Sequence, residues 1–328
     1  MQGVDREVVE NYGIEIRSII PYKDTYILNT SKGRKVLKKM AFSSERILFV
    51  HGAKEHLIKS DFGNIDRYLC TYSGEPYFVF NNSNYILTDF IEGHECSFDN
   101  DGDVQEAALL LASMHKASRG YIPDNRCKVQ DDLGKLPGYF NKRLEDIKKL
   151  KKQAKRGKSG FDHLFLEYVD YFYHIGEDAA IELGKSSYET LVIRTREEGL
   201  FCHHDYAHHN IISSDDKLSI TNFDYCCFEL KLYDMANFIR RKMRKSNWDI
   251  DKAIMIIENY CSIEHISKEE FMVMKSILQF PQKFWRVVNR YYNSRRSWSE
   301  RSFVSKLNEV ISEVEYHKKF LERYDRLM

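Results

Sequence analysis

The stretch His203-His-Asp-Tyr-Ala-His-His-Asn210 decides the reading of this chain, together with Leu218-Ser-Ile-Thr-Asn-Phe-Asp-Tyr225 a short way downstream. Asp205 and Asn210 stand five positions apart, between apolar segments and ahead of a second acidic strand end. A short loop of that length puts Asp205 beside an acceptor hydroxyl while Asn210 turns its amide oxygen toward a metal ion on nucleotide phosphates. Ser214-Asp-Asp-Lys217 between the two stretches reads as a turn. Phosphoryl transfer is the chemistry to which this arrangement points.

The loop resembles the catalytic loop of kinase-fold phosphotransferases, and the second stretch resembles the metal-binding segment of the aminoglycoside and choline kinases. In those proteins the segment opens Ile-Asp-Phe/Trp-Asp/Glu, whereas this chain reads Thr221-Asn222-Phe223-Asp224. Asn222 keeps one neutral oxygen donor but removes a full negative charge, and Mg²⁺ favours carboxylate and phosphate oxygens. Weaker metal binding is therefore expected. In an extended segment, side chains two apart share a face, which would let Asp224 act as ligand in place of residue 222. The expected metal set is Asn210, Asn222 and Asp224, with Mg²⁺ and ATP as the implied cofactors. By the same resemblance His203 is architectural, and His204 replaces a glycine that is frequent at its place.

Composition sets the frame. A chain of 328 residues can bury a substantial core in one large or two modest domains. Its net charge of +1 gives no electrostatic reason to expect a nucleic-acid partner. Seven cysteines without a C-x-x-C pair argue against a disulfide framework and for a reducing interior. With no basic-then-apolar leader and no apolar run of membrane-spanning length, the expectation is cytoplasmic synthesis and no membrane partner. The four histidines of the loop form two adjacent pairs with no cysteine or carboxylate at finger-like spacing, which disfavours zinc.

The first ninety residues alternate like a small sheet. Ser18 to Thr30 and Arg34 to Met40 are strand-like, joined by Ser31-Lys32-Gly33, and Pro21-Tyr-Lys-Asp-Thr25 occupies the hairpin where a phosphate loop would carry glycines. Val36 and Lys38 should share one face, the geometry by which a strand lysine reaches the α and β phosphates. Crowding by Lys35 and Lys39 leaves a plain surface strand as the bland alternative. Ser43-Ser-Glu starts a helix with Ile47, Val50, the Lys54 stem and Leu57 at helical spacing, ending near Asp61-Phe-Gly63. A kinase-like helix here would offer Glu55, or else Glu45, to Lys38.

Tyr85-Ile-Leu-Thr88 reads as a buried strand, and Asp89-Phe-Ile-Glu-Gly93 resembles the interlobe hinge of the aminoglycoside-kinase group. That likeness implies that main-chain groups around Asp89 and Ile91 meet adenine. Beyond it come a central helix from Asp103 to Ser118, and a basic helix-like segment from Phe140 to Gly160 with nine Lys or Arg residues, read as a solvated edge. The apolar stretch from Tyr168 to Ile193 and the segment Leu232-Tyr-Asp-Met-Ala follow, with Asp234 placed as a helix cap. The expected fold is α+β, bilobal and protein-kinase-like: a small antiparallel-sheet lobe at 1–92 and a large, mainly helical lobe at 93–328.

Phe280-Pro-Gln-Lys-Phe-Trp-Arg-Val-Val-Asn-Arg-Tyr-Tyr292, followed by Ser297-Trp-Ser-Glu300, resembles the C-terminal signature of the spore coat protein S (CotS) family of endospore-forming bacteria. "LTDFIEG", "HHDYAHHN" and "NFDYC" agree with that family in order and approximate spacing. The resemblance implies assembly into the spore coat with other coat proteins. It leaves two readings: a kinase acting on a small-molecule hydroxyl, or a pseudokinase whose role in the coat is structural. An active protein kinase is disfavoured, since no A-P-E segment follows the second stretch.

Overall fold

The computed structural model describes residues 3–214, 217–293 and 299–325. The chain divides into two compact units, one of residues 1–131 and 198–228, the other of 132–197 and 229–328. The fold is α+β, with an antiparallel sheet toward the N-terminus and helices dominating the rest.

In the first unit, helix α1 (Val4–Tyr12) precedes strands β1 (Ile16–Tyr22), β2 (Thr25–Thr30) and β3 (Gly33–Met40), then helix α2 (Ser44–Lys59) and strands β4 (Phe78–Phe80) and β5 (Ser83–Asp89). The strands form one antiparallel sheet in the order β1-β2-β3-β5-β4. The span expected as one strand from Ser18 to Thr30 is broken by a tight turn at Lys23-Asp24, with Lys23 at φ 51. Pro21 is tolerated in β1 because that strand lies at the sheet edge, where a missing N–H leaves no ladder bond unmade.

Alternation then assigns the two faces of the sheet. Leu28, Leu37 and Leu87 are fully buried with Val4 and Val8 of α1. Val36, Lys38, Ile86 and Thr88 belong to the opposite face and line a cleft. Helix α1 was not expected, although Val4, Val8 and Tyr12 recur at helical spacing.

The unit continues through β6 (His94–Glu95), helix α3 (Asp101–Ser118), and, after the second unit's insertion, β7 (Phe201–Cys202), β8 (Ile211–Ser214), β9 (Lys217–Ile220) and β10 (Cys227–Phe228). Asn100 caps α3 by accepting from the backbone N–H groups of Gly102 and Asp103. β8 and β9 pair as a hairpin through Ser214 and Lys217, and β6 joins the outer side of β8. The turn residues 215 and 216 lie outside the described residues. Gly93 makes the β6 approach possible: it has φ 142, and a Cβ there would sit 2.2 Å from the Ser213 carbonyl oxygen.

The second unit is built from helices α4 (Leu136–Ala154), α5 (Gly160–Lys185), α6 (Tyr188–Glu198), α7 (Lys231–Met243), α8 (Ile250–Cys261), α9 (Lys268–Gln279), α10 (Gln282–Asn293), α11 (Glu300–Ser312) and α12 (Val314–Tyr324). The last residue of α6, Glu198, belongs to the first unit. Phe140, Leu144, Ile147 and Ala154 are the buried stripe of α4. Its core gathers Phe161, Phe165 and Phe172 of α5 with Phe284 of α10 and Phe303 of α11. Phe172 and Phe284 stack with ring centroids 4.0 Å apart. Ser159 and Ser267 close capping boxes on α5 and α9. Asp234 lies in the first turn of α7 and not at its cap position, which Leu230 occupies without a side-chain cap bond, so Asp234 is not the cap read from the sequence. Ser297 and Trp298 of the C-terminal signature fall outside the described residues. Among the described residues, no helix is long and apolar enough to cross a membrane.

Candidate active site

A cleft of about 530 Å³ lies within the first unit, a size suited to a nucleotide. One part of its lining is apolar, from Val36, Ile86, Ile91 and Ile212. The other is polar and charged, from Lys38, Asp66, Asn210, Asn222 and Asp224. The strand that carries Lys38 and the loop that carries Asn222 are far apart in sequence, and folding brings them together.

Lys38 Nζ donates to Asn222 Oδ1 at 2.7 Å and to Asp224 Oδ2 at 2.6 Å. Both side chains therefore converge on one cation, yet not for the reason expected. The segment is not extended: Asn222 has φ 63 and ψ 59, and Phe223–Tyr225 form a 3-10 turn. The left-handed residue turns the chain so that 222 and 224 meet at Lys38. Asn is among the few non-glycine residues that enter this conformation at low cost.

The Asp205 loop is fixed from several directions. Asn210, buried at the end of a 3-10 turn, donates from Nδ2 to the Asp205 carbonyl oxygen at 2.9 Å and to Asp205 Oδ2 at 3.1 Å. Asn210 Oδ1 in turn accepts from Asn222 Nδ2 at 3.3 Å, linking the loop to the downstream segment. His203 is fully buried; its Nε2 donates to the Thr221 carbonyl oxygen at 3.0 Å, and its Nδ1 accepts from the Asp205 backbone N–H at 3.2 Å. Tyr206 donates to the Ala107 carbonyl oxygen of α3 at 2.6 Å. His204 has φ 69, a conformation in which glycine is the unstrained residue.

Asp89, the last residue of β5, and Ile91 just beyond it both line the cleft. The Asp89 carboxylate is paired with Lys35, and Phe90 N–H is bonded to the Arg34 carbonyl oxygen at 3.1 Å. At the mouth of the cleft, Lys23 of the β1–β2 turn pairs with Glu95 of β6, and this bond holds the Glu95 carboxyl below its usual range.

Glu55 does not meet Lys38. Its carboxylate is held by Arg67, with Nε at 2.6 Å and Nη2 at 2.5 Å, and Lys38 is satisfied by residues 222 and 224 instead. Glu45, the other helix carboxylate considered, is exposed at the start of α2. One residue of rotation explains the difference: about 100° along the helix separates Glu55 from the inward face, which Lys54 occupies.

Lys54 is fully buried and donates to the Asp66 carbonyl oxygen and to Asp66 Oδ1, both at 2.6 Å. Burial pushes its pKa down, against the opposing pull of the Asp66 carboxylate. Asp66 lines the cleft and is held there by Lys54, and the sequence reading gives neither of them a place in the site. The one signal was the Lys54 stem falling in phase with Ile47, Val50 and Leu57.

The donor set suits a hard divalent cation, because amide and carboxylate oxygens of Asn222 and Asp224 already surround an ammonium group. A single carboxylate among Asn210, Asn222 and Asp224 makes it a weakly charged set.

A family model described as "Spore coat putative kinase YutH" matches residues 5–324. Spore coat protein S of Bacillus subtilis strain 168 is 24% identical over 303 residues, covering 92% of this chain and 86% of that protein. The endospore coat-associated protein YutH of the same organism is 20% identical over 326 residues, covering 98% and 92%. Among solved structures, an aminoglycoside phosphotransferase from Alicyclobacillus acidocaldarius matches with a TM-score of 0.87 at 22% identity, covering 98% of this chain and 95% of that one. An AMP-bound spectinomycin phosphotransferase matches at 0.68 with 14% identity, covering 96% and 97%. A choline kinase from Cryptosporidium parvum matches at 0.57 with 11% identity, covering 98% and 96%. At these identities the structural matches establish the fold, which is that of the aminoglycoside and choline kinases.

Proposed function

The chain belongs to the YutH family of spore coat proteins with a kinase-like fold, and from that premise and the cleft geometry we propose that it binds ATP and phosphorylates the hydroxyl of a small molecule at the spore coat. The observation that carries this reading is the convergence of Lys38, Asn222 and Asp224 in the cleft, with Asn210 tying that cluster to Asp205.

In this reading the apolar part of the cleft takes adenine, with main-chain groups around Asp89 and Ile91 at its edge. Lys38 leaves Asp224 to hold the α and β phosphates. Asp205 accepts the proton of the acceptor hydroxyl as its oxygen bonds to the terminal phosphorus; the bond from that phosphorus to the bridging oxygen breaks, and ADP leaves. Asn210, Asn222 and Asp224 would hold Mg²⁺, which when bound supplies positive charge against the transferring phosphoryl group. With a neutral side chain at 222, the metal is held weakly and turnover is slow.

That same substitution supports a second reading, in which the cleft binds nucleotide without turnover and the chain serves as a structural or assembly component among other coat proteins. Calorimetry with ATP, with and without Mg²⁺, followed by phosphorus NMR of mixtures with amino alcohols and sugars, separates the two. Mg²⁺-dependent binding with phosphate transfer is the expected result. Binding without transfer favours the structural reading, and no binding at millimolar ATP overturns both accounts of the cleft.

Asp205→Asn should abolish transfer while changing the melting temperature little, because the amide keeps the volume and one acceptor oxygen for Asn210. Unaltered turnover in that variant would remove Asp205 from the mechanism.

A further inference from the structure

Helix α2 presents two cations toward the segment 222–226. Arg46 Nη2 donates to the carbonyl oxygens of Asp224 and Cys226, each at 2.7 Å. Just over two turns on, Lys54 is buried with its ammonium 4.1 Å from the Tyr68 ring centroid and 5.3 Å from that of Phe223. It reaches Asp66 Oδ1, and the other oxygen of the same carboxylate, Oδ2, accepts the backbone N–H of Asn222 at 3.1 Å. The result is a continuous path from the helix through a carboxylate to the main chain of the left-handed residue.

Charge explains why the path is rigid. A buried ammonium is tolerated only when a partner is fixed beside it, so Lys54 dictates where the Asp66 carboxylate sits. With one oxygen committed to Lys54, the other is aimed at the amide of residue 222. Asn222 in this conformation carries Oδ1 to the same point as Asp224 Oδ2, as their shared bond to Lys38 records. The helix thus acts on the metal segment through cations, where a helix glutamate would have acted on Lys38.

We propose that Lys54 and Asp66 are positioning residues, which hold Asn222 in its left-handed conformation and thereby assemble the Asn222–Asp224 oxygen pair. The inference rests on the proposed function for what that pair binds, but the positioning itself is a property of the ligand-free protein.

Lys54→Met, Asp66→Ala and the double variant test it by two measurements. The first is amide hydrogen exchange at Asn222 without ligand. Both single variants should accelerate it roughly tenfold or more, while exchange in β2, β3 and α3 changes little. The double variant should be no worse than Asp66→Ala, since one residue acts through the other. Lys54→Arg should restore most of the protection.

The second measurement is ADP affinity by calorimetry, with and without Mg²⁺. The factor by which Mg²⁺ tightens ADP should fall toward one in both single variants; metal-free affinity should stay within about threefold in Lys54→Met, whose side chain does not line the cleft. Unchanged exchange at Asn222 in both would overturn the proposal, as would equal acceleration across the whole unit with additive effects in the double variant, the mark of simple packing. If Asp66→Ala fails to fold because it leaves the buried Lys54 ammonium without its carboxylate, Lys54→Met, which removes the charge together with the bond, carries the test. If the unmodified protein binds no ADP, the proposed function fails, and the exchange measurement still decides the positioning.

Discussion

Position 222 shows how one side chain can answer two demands. Its φ of 63 calls for glycine, asparagine or aspartate, and its Oδ1 is one of two oxygens on Lys38. Aspartate would meet the backbone demand equally well, so Asn222→Asp adds a charge at almost constant volume, at the cost of the Nδ2 donor to Asn210 Oδ1. It should strengthen Mg²⁺-dependent ATP binding over metal-free binding, and raise any turnover with it, because a carboxylate is the better ligand for a hard cation. The expected gain in calorimetry is about 1 kcal/mol, or several-fold, given that Lys38 competes for the same oxygens in the unliganded protein. No gain would mean that Asp224 already supplies the needed charge or that the cleft takes no nucleotide. Asp224→Ala distinguishes these, since it weakens Mg²⁺-dependent binding only in the first case.

At the scale of elements, the sequence makes local structure legible and leaves long-range contacts hidden. The buried strand at 85–88, the helix face of Ile47, Val50 and Leu57, and the core stripe of α4 follow from periodicity, which depends on near neighbours alone. Lys54 lay in that same helix stripe, but its role depends on Asp66, a residue of the following loop whose carboxylate turns inward only in the folded chain. Glu55, or else Glu45, is a candidate partner for Lys38 only by likeness to a kinase helix; helix phase points Glu55 at Arg67. The extended conformation that would set residues 222 and 224 on one face by alternation is not met, and nothing local in the sequence requires the left-handed residue found there. Gly93 is a case where sequence and geometry coincide. Gly93→Ala should cost about 1–3 kcal/mol in urea unfolding, from backbone strain and the clash with the Ser213 carbonyl. It should also loosen β6 and with it the Glu95 partner of Lys23, so an unchanged midpoint would show that β6 moves freely.

For the molecule as a whole, the two compact units should respond to different agents. Every residue lining the cleft belongs to the first unit, so in the proposed reading nucleotide should protect amides there; saturation at a hundredfold over Kd stabilises by about 2.7 kcal/mol. The second unit carries an acid-sensitive group instead. His317 of α12 is buried beside Trp248, with ring centroids 4.3 Å apart, and donates from Nε2 to the Leu278 carbonyl oxygen. Burial lowers its pKa to about 4. Because the unfolded chain takes up a proton near the ordinary histidine pKa of about 6.5 while the folded unit resists until about 4, stability is full above the higher value and falls as pH drops between the two. The loss approaches about 3 kcal/mol when that whole interval is crossed. His317→Gln keeps a donor for Leu278 and cannot titrate, so its stability should decline less from pH 7 to pH 4.5 than that of the unmodified chain. Urea unfolding followed by tryptophan fluorescence at the two pH values measures the difference, and equal declines in both proteins would remove His317 as the source of acid sensitivity.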